Sequence, residues 1–136
     1  MPTDSQKLAQ SVVRLSRRLR QERHSELTAN QLSVLGTLRT RGPLTPSSIA
    51  AHEHVQPPSM TRTINCLDEA GLVTRGQHPD DGRQVMVTIS TKGEEVLAAE
   101  RARRDQWLAL RMAELGPADR KLLREAAAVL DKLATS

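Results

Sequence analysis

The apolar residues of this chain recur at helical spacing in six stretches and alternate at strand spacing in two, with short polar breaks between them. Leu8, Val12, Leu15 and Leu19 follow one another at intervals of four, three and four, which marks one face of a helix that Thr3 or Asp4 can cap. Thr28 is an N-cap for a second helix, whose stripe of Leu32, Leu35 and Leu38 ends at Gly42. Thr45 and Pro46 open a third, short helix reaching about His52, with Ile49 and Ala50 inward. After a turn around His54 to Gln56, Pro57 and Pro58 fit only a first helical turn because they lack an N–H to donate. A fourth helix therefore starts there and runs to Ala70, closed by Gly71. At about 100° per residue, Met60, Ile64 and Leu67 fall on one side of it, and Pro58, Arg62, Asn65 and Glu69 on the other.

The period then shortens to two. Leu72 to Arg75 and Val85 to Ile89 read as strands, the second alternating Val85, Val87 and Ile89 with Met86, Thr88 and Ser90. The connection His78-Pro79-Asp80-Asp81-Gly82-Arg83 is rich in turn formers and predicts a hairpin with Arg83 at its tip. Ser90 or Thr91 caps a long helix in which Gly93 is a minor weakness and Val96, Leu97, Trp107, Leu108, Leu110, Met112 and Leu115 face inward. Gly116 and Pro117 break the pattern, and Leu122, Leu123, Ala126, Val129, Leu130 and Leu133 mark a last helix. The expected fold is mainly α with a small β-hairpin, an α+β arrangement of helix, turn, helix and wing flanked by helices at both ends. Its reader spans residues 28–92, and residues 1–27 and 93–136 supply the flanking helices.

Composition narrows this picture. At 136 residues the chain has the length of one domain. Trp107 is its only aromatic residue, so the core must be aliphatic. Those flanking helices carry more apolar face than so small a reader can cover, and a second copy of the chain is the expected cover. No apolar run approaches the roughly 20 residues needed to cross a bilayer, and the N-terminus lacks the apolar stretch of a signal peptide. A cytoplasmic protein without a membrane partner is expected. Cys66 is the single cysteine, which excludes an internal disulfide and a cysteine-rich metal site.

A net charge of +4 and a pI near 10.0 suit a polyanion partner, but the excess is unevenly placed. Residues 1–40 hold seven Lys/Arg against three Asp/Glu, residues 41–92 five against five, and residues 93–136 eight against eight. The excess lies on the first helix, on Arg14, Arg17, Arg18, Arg20 and Arg23, where a solvated basic face is the simpler reading and contact with phosphate or lipid the sharper one. Any argument for DNA binding must therefore rest on the placement of particular residues.

Those residues resemble the MarR-type winged helix-turn-helix regulators of bacteria over nearly the whole chain. LTANQLSVLGTL is similar to the family's second helix. LTPSSIAAHEHVQPPSMTRTINCLDEAGLVTR is similar to its helix-turn-helix with a terminal G-L-V-x-R. The most specific segment is DDGRQVMVTISTKG, with D-x-R at Asp81 and Arg83, an alternating strand and T-x-K-G. The resemblance implies a homodimer on a pseudopalindromic double-stranded DNA operator, with the recognition helices in successive major grooves and the wings in flanking minor grooves. Arg83 is then expected in the minor groove, where negative potential attracts arginine, and Asp81 in holding the wing. Arg62 and Asn65 are the expected base readers. Ser59 and Thr61, with the N–H groups that start the fourth helix, are expected at phosphates or base edges, and Ser47 at a phosphate; Gln56 and Pro58 border the surface. The structural alternative for Arg62 is a salt bridge to Asp68 or Glu69, and for Arg83 a free solvated loop.

Other constellations add little. His52, His54 and His78 are not completed by recognisably spaced carboxylates, so no metal or other cofactor is expected. Cys66 falls at the flank of the buried side, as an inert, partly buried thiol. No nucleophile elbow, phosphate loop or paired acid and base is present, and an enzyme is not expected. The resemblance further implies a small apolar effector, for which Trp107 and aliphatic residues would supply the lining. The expected function is a regulator, more naturally a repressor, released by such an effector. A winged-helix protein-interaction module without specific DNA binding stays open because residues 41–92 balance in charge.

Overall fold

The computed structural model describes residues 1–23 and 25–136. Six helices and one hairpin follow in the order α1 (Asp4–Gln21), α2 (Ala29–Arg41), α3 (Pro46–Glu53), α4 (Pro57–Glu69), β1 (Val73–Gln77), β2 (Val85–Ile89), α5 (Thr91–Ala113) and α6 (Pro117–Ala134). The fold is mainly helical with a two-stranded antiparallel sheet, the class expected of the pattern. Threonines set three of the starts. Thr3, Thr28 and Thr45 each turn a side-chain oxygen onto the N–H three residues on, and Gln6 and Gln31 return the bond to complete two capping boxes.

The chain divides into two compact units, a central one of Arg23–Arg101 and a terminal one of Met1–Glu22 with Ala102–Ser136. The central unit contains the aliphatic core. Val34, Leu35 and Leu38 of α2 meet Ile49 and Ala50 of α3 and Met60, Ile64 and Leu67 of α4, with Leu72, Val73, Val87 and Leu97 completing the cluster. Burying a dozen such side chains, at about 1.5–3 kcal/mol for each of the larger ones, is what fixes the angles among these three helices. The link at Leu44 adds a short third edge to the sheet, since its N–H donates to Val87 O at 3.1 Å and its carbonyl accepts from Val87 N at 2.8 Å.

The strands depart from expectation in two ways. β1 begins and ends later than the apolar signal, because antiparallel pairing runs on from Val73↔Ile89 to Gln77↔Val85 through Gly76, which carries no side chain to signal it. Val85, expected inward by alternation, is 41% exposed: its partner Gln77 lies at the projecting end of the hairpin, beyond the core.

Gly93 also departs from expectation. A Cβ there would lie 2.1 Å from the Leu72 carbonyl oxygen and 2.9 Å from Ile89 Cγ1, so the first turn of α5 sits on the sheet at a separation only glycine permits. Its neighbour Lys92 donates from Nζ to Ala70 O at 2.9 Å, satisfying a carbonyl at the end of α4. Farther along α5, Glu100 is 7% exposed and accepts a hydrogen bond from Ser25 N, anchoring the segment before α2.

In the terminal unit, neither α1 nor α6 has a buried residue. Leu8, Val12 and Leu15 on α1 are exposed, as are Leu122, Leu123, Val129, Leu130 and Leu133 on α6. Leu110 of α5 and Leu115 just past its end, both expected inward, are exposed too, whereas Trp107, Leu108 and Met112 are half-buried. The Arg18 guanidinium stacks 4.7 Å from the Trp107 ring centre, and that of Arg111 lies 5.7 Å away. No described helix is long and apolar enough to cross a membrane.

Candidate nucleic-acid interface

α4 presents the polar side that its periodicity predicts. Met60, Ile64 and Leu67 are buried, while Gln56, Pro58, Thr61, Arg62, Asn65 and Glu69 are exposed and Ser59 is half-exposed. The turn leading into it is held by His54 in the left-handed region at φ 54° and ψ 43°, which reverses the chain between α3 and α4. Glu53, just before that turn, accepts from Ser33 Oγ at 2.7 Å and Thr37 Oγ1 at 2.6 Å, pinning the end of α3 to α2. The cavity left beside α4, about 50 Å³, is lined by Asn30, Val34, Glu53, Val55, Ser59, Met60 and Thr63. It has room for water and not for a drug-sized ligand, which needs several hundred Å³.

The first turn of α4 offers fewer backbone donors than a helix start usually does. Pro57 and Pro58 have no N–H, and Met60 N donates to Gln56 O at 3.1 Å, leaving the Ser59 N–H. The Thr61 hydroxyl is turned back on its own helix and donates to Pro57 O at 3.0 Å. An acceptor in front of α4 would therefore meet the Ser59 N–H and the side chains rather than a row of amides. On α3, Ser47 is exposed at the first turn, with its Oγ 3.3 Å from that of Thr45.

Arg62 and Asn65 stand one turn apart on the exposed side. Arg62 Nη2 donates to Ser59 Oγ at 3.3 Å and, among the described residues, forms no ion pair with Asp68, Glu69 or any other carboxylate. Asp68 is taken instead by Arg75 of β1, whose Nε lies 3.6 Å from Asp68 Oδ2 and whose Nη2 donates to Asn65 Oδ1. Arg75 closes the G-L-V-x-R stretch, which was the available sign of its importance, yet its position against α4 was not foreseen. It shares a face of β1 with Val73, two residues before it; Val73 enters the core and Arg75 runs past its rim onto the polar side of α4.

The wing is stapled from inside. His78 Nδ1 accepts from Asp80 N at 3.0 Å and Asp81 N at 3.2 Å, and His78 N donates to Gln84 O at 3.0 Å. Asp81 Oδ1 accepts from the backbone N–H of Arg83 at 3.1 Å. The Arg83 side chain is exposed and bonds to none of the described residues. Cys66, expected to be partly buried, is exposed, because the buried side of α4 is narrow enough to leave both its flanks in solvent. No group of three His, Cys, Asp or Glu side chains among the described residues could hold a metal ion.

Residues 27–85 match the model of the MarR family. A Mycobacterium bovis protein named as an uncharacterized HTH-type transcriptional regulator is 47% identical over 121 residues, which span 88% of this chain and 85% of its own. One with the same description from Mycobacterium leprae is 43% identical over 127 residues, 93% of this chain and 89% of its own. The crystal structure of a Pseudomonas aeruginosa PA01 protein described as a transcriptional regulator superposes with a TM-score of 0.87, at 32% identity and covering 99% of both chains.

Proposed function

As a member of the MarR family of helix-turn-helix transcriptional regulators, and so a DNA-binding regulator and not an enzyme, the chain is one that we propose binds a pseudopalindromic operator as a homodimer and represses transcription there. One observation carries the reading: the Arg62 guanidinium, exposed on the polar side of α4, has no carboxylate partner among the described residues even though Asp68 and Glu69 lie on the same helix. A cation left uncompensated beside available acids suits an anionic partner outside the chain.

In this reading Arg62 and Asn65 meet base edges, Ser59 and Ser47 meet phosphates, and Gln56 and Pro58 border the contact. Thr61 contributes less than its position suggests, since its proton is used within α4. Arg83 enters the minor groove from a wing held in shape by Asp81 and His78. The exposed apolar faces of α1 and α6 favour pairing with a second copy, and two-fold symmetry would space the half-sites by about one turn of DNA. Repression asks for no more than this, because a dimer seated over a promoter blocks polymerase by occupancy. The protein would act in the cytoplasm.

We extend the proposal to a small apolar effector that favours one spacing of the recognition helices over another and so releases the operator. The cavity beside α4 is too small for it, and Trp107 with aliphatic residues is the lining we assign.

The test is binding of the purified chain to DNA upstream of its own gene across a salt series. Specific binding should fall steeply with salt, by about one unit of logarithmic slope per phosphate neutralised. A flat or absent response would favour a protein-interaction module. Light scattering at micromolar concentration checks the dimer, which a monomeric mass would exclude.

A further inference from the structure

The contact between β1 and α4 bears on which base Asn65 reads. A carboxamide can face either way in a site, and what decides is the hydrogen bonding around it. Here the neighbour is a guanidinium, which only donates, so the atom of Asn65 that faces Arg75 must be the oxygen. Arg75 is itself held from the other side by Asp68, on the same helix as Asn65. The amide N–H2 of Asn65 is then the half left to an outside partner.

An asparagine that reads adenine needs both halves, the oxygen for the N6 amino group and the nitrogen for N7. With Oδ1 shared with a cation, an incoming amino group competes with a charged donor for the same oxygen. Guanine shows only acceptors at this edge, N7 and O6, which suit an amide N–H2 flanked by a guanidinium. We infer that Arg75 is a specificity-determining residue that fixes the sense of the Asn65 amide, so that α4 selects guanine over adenine at the base pair Asn65 faces. This rests on the proposed role of α4 as the recognition helix.

Selection of bound sequences from a randomised duplex library, with the full-length protein, tests it. The wild type should enrich guanine at one pair of each half-site, by roughly tenfold over adenine as for a good side-chain and base pairing. Asn65→Ala should erase the preference at that pair alone. Arg75→Met, which keeps the aliphatic stem, should relax the same pair to accept adenine because the freed amide can turn over. Asp68→Asn, which loosens Arg75 without touching Asn65, should move the same pair in the same direction and carries the test if Arg75→Met does not fold. Adenine enriched at the pair that Asn65→Ala erases would overturn the inference. So would guanine retained in the Arg75 and Asp68 variants, no change at any pair in Asn65→Ala, or a uniform loss over all sequences in Arg75→Met. No enrichment by the wild type would instead remove the proposed operator binding itself.

Discussion

Replacing Gly93 with alanine separates two rules that give opposite signs. Helix propensity favours alanine over an interior glycine by about 1 kcal/mol, and Gly93 lies in the first turn of a 23-residue helix. Packing says the reverse. The new methyl carbon would stand 2.1 Å from Leu72 O and 3.1 Å from Leu72 C, both backbone atoms that cannot step aside by changing rotamer. To relieve that overlap the turn must lift off the sheet, and three hydrogen bonds converge there: Ser90 N to Leu72 O at 3.0 Å, Gly93 N to Ser90 Oγ at 3.0 Å, and Ser90 Oγ to Gly71 O at 2.6 Å. Losing them costs about 1 kcal/mol each, and residual crowding adds an overpacking penalty of roughly 1–3 kcal/mol. After the gain in propensity, the net destabilisation should be roughly 3–5 kcal/mol. The assay is urea unfolding followed by far-ultraviolet circular dichroism and by Trp107 fluorescence, at one fixed protein concentration because the proposed pairing would contribute to apparent stability. With a slope of about 2 kcal/mol per molar urea, the midpoint should fall by about 1.5–2.5 M. Gly76→Ala, whose added Cβ meets nothing within 4 Å, is the control and should stay within about 0.5 kcal/mol. An unchanged or raised midpoint for Gly93→Ala, at the same slope, would refute the packing account.

His54→Gly should stabilise the chain by about 0.5–1 kcal/mol, since it removes a left-handed β-carbon penalty while adding some unfolded-state freedom; a lower urea midpoint would contradict this. Glu53→Ala should cost about 1–3 kcal/mol by leaving the hydroxyls of Ser33 and Thr37 without their shared acceptor, read by thermal unfolding, and a shift below about 0.5 kcal/mol would show that water replaces it. Arg83→Ala should weaken binding chiefly to operators with A·T-rich flanks, and equal affinity ratios on all flanks in a gel-shift series would sink the wing assignment. Arg62→Ala should cost roughly 1–3 kcal/mol of binding and relax preference at one base pair, whereas a uniform loss over all sequences would reassign it to phosphate.

The helices were legible because their signals are local. Thr3 with Gln6, and Thr28 with Gln31, spell out capping boxes within four residues, and the spacing of Met60, Ile64 and Leu67 gives the buried side of α4 directly. What the pattern missed depends on contacts between distant positions. Gly93 looks like a weak point in a helix until Leu72 O is placed against it. Arg75 lies ten residues after Asn65 and meets it only because β1 folds back along α4. Glu100 is one more polar residue on a helix until the Ser25 N–H, 75 positions away, finds it. The same limit explains His78, whose imidazole invites a metal reading in sequence and turns out to be spent on the N–H groups of Asp80 and Asp81.

Every member of the buried aliphatic cluster, from Val34 to Leu97, belongs to the central unit, whereas α1 and α6 bury nothing within the single chain. Heritable change can therefore act on the two halves at different rates. If copies pair through α1 and α6 as proposed, substitutions there would alter which copies recognise one another without disturbing the residues that fix α4. Under that proposal, duplicated genes of this design would become insulated from each other in pairing while still competing for the same target, and would diverge in target later.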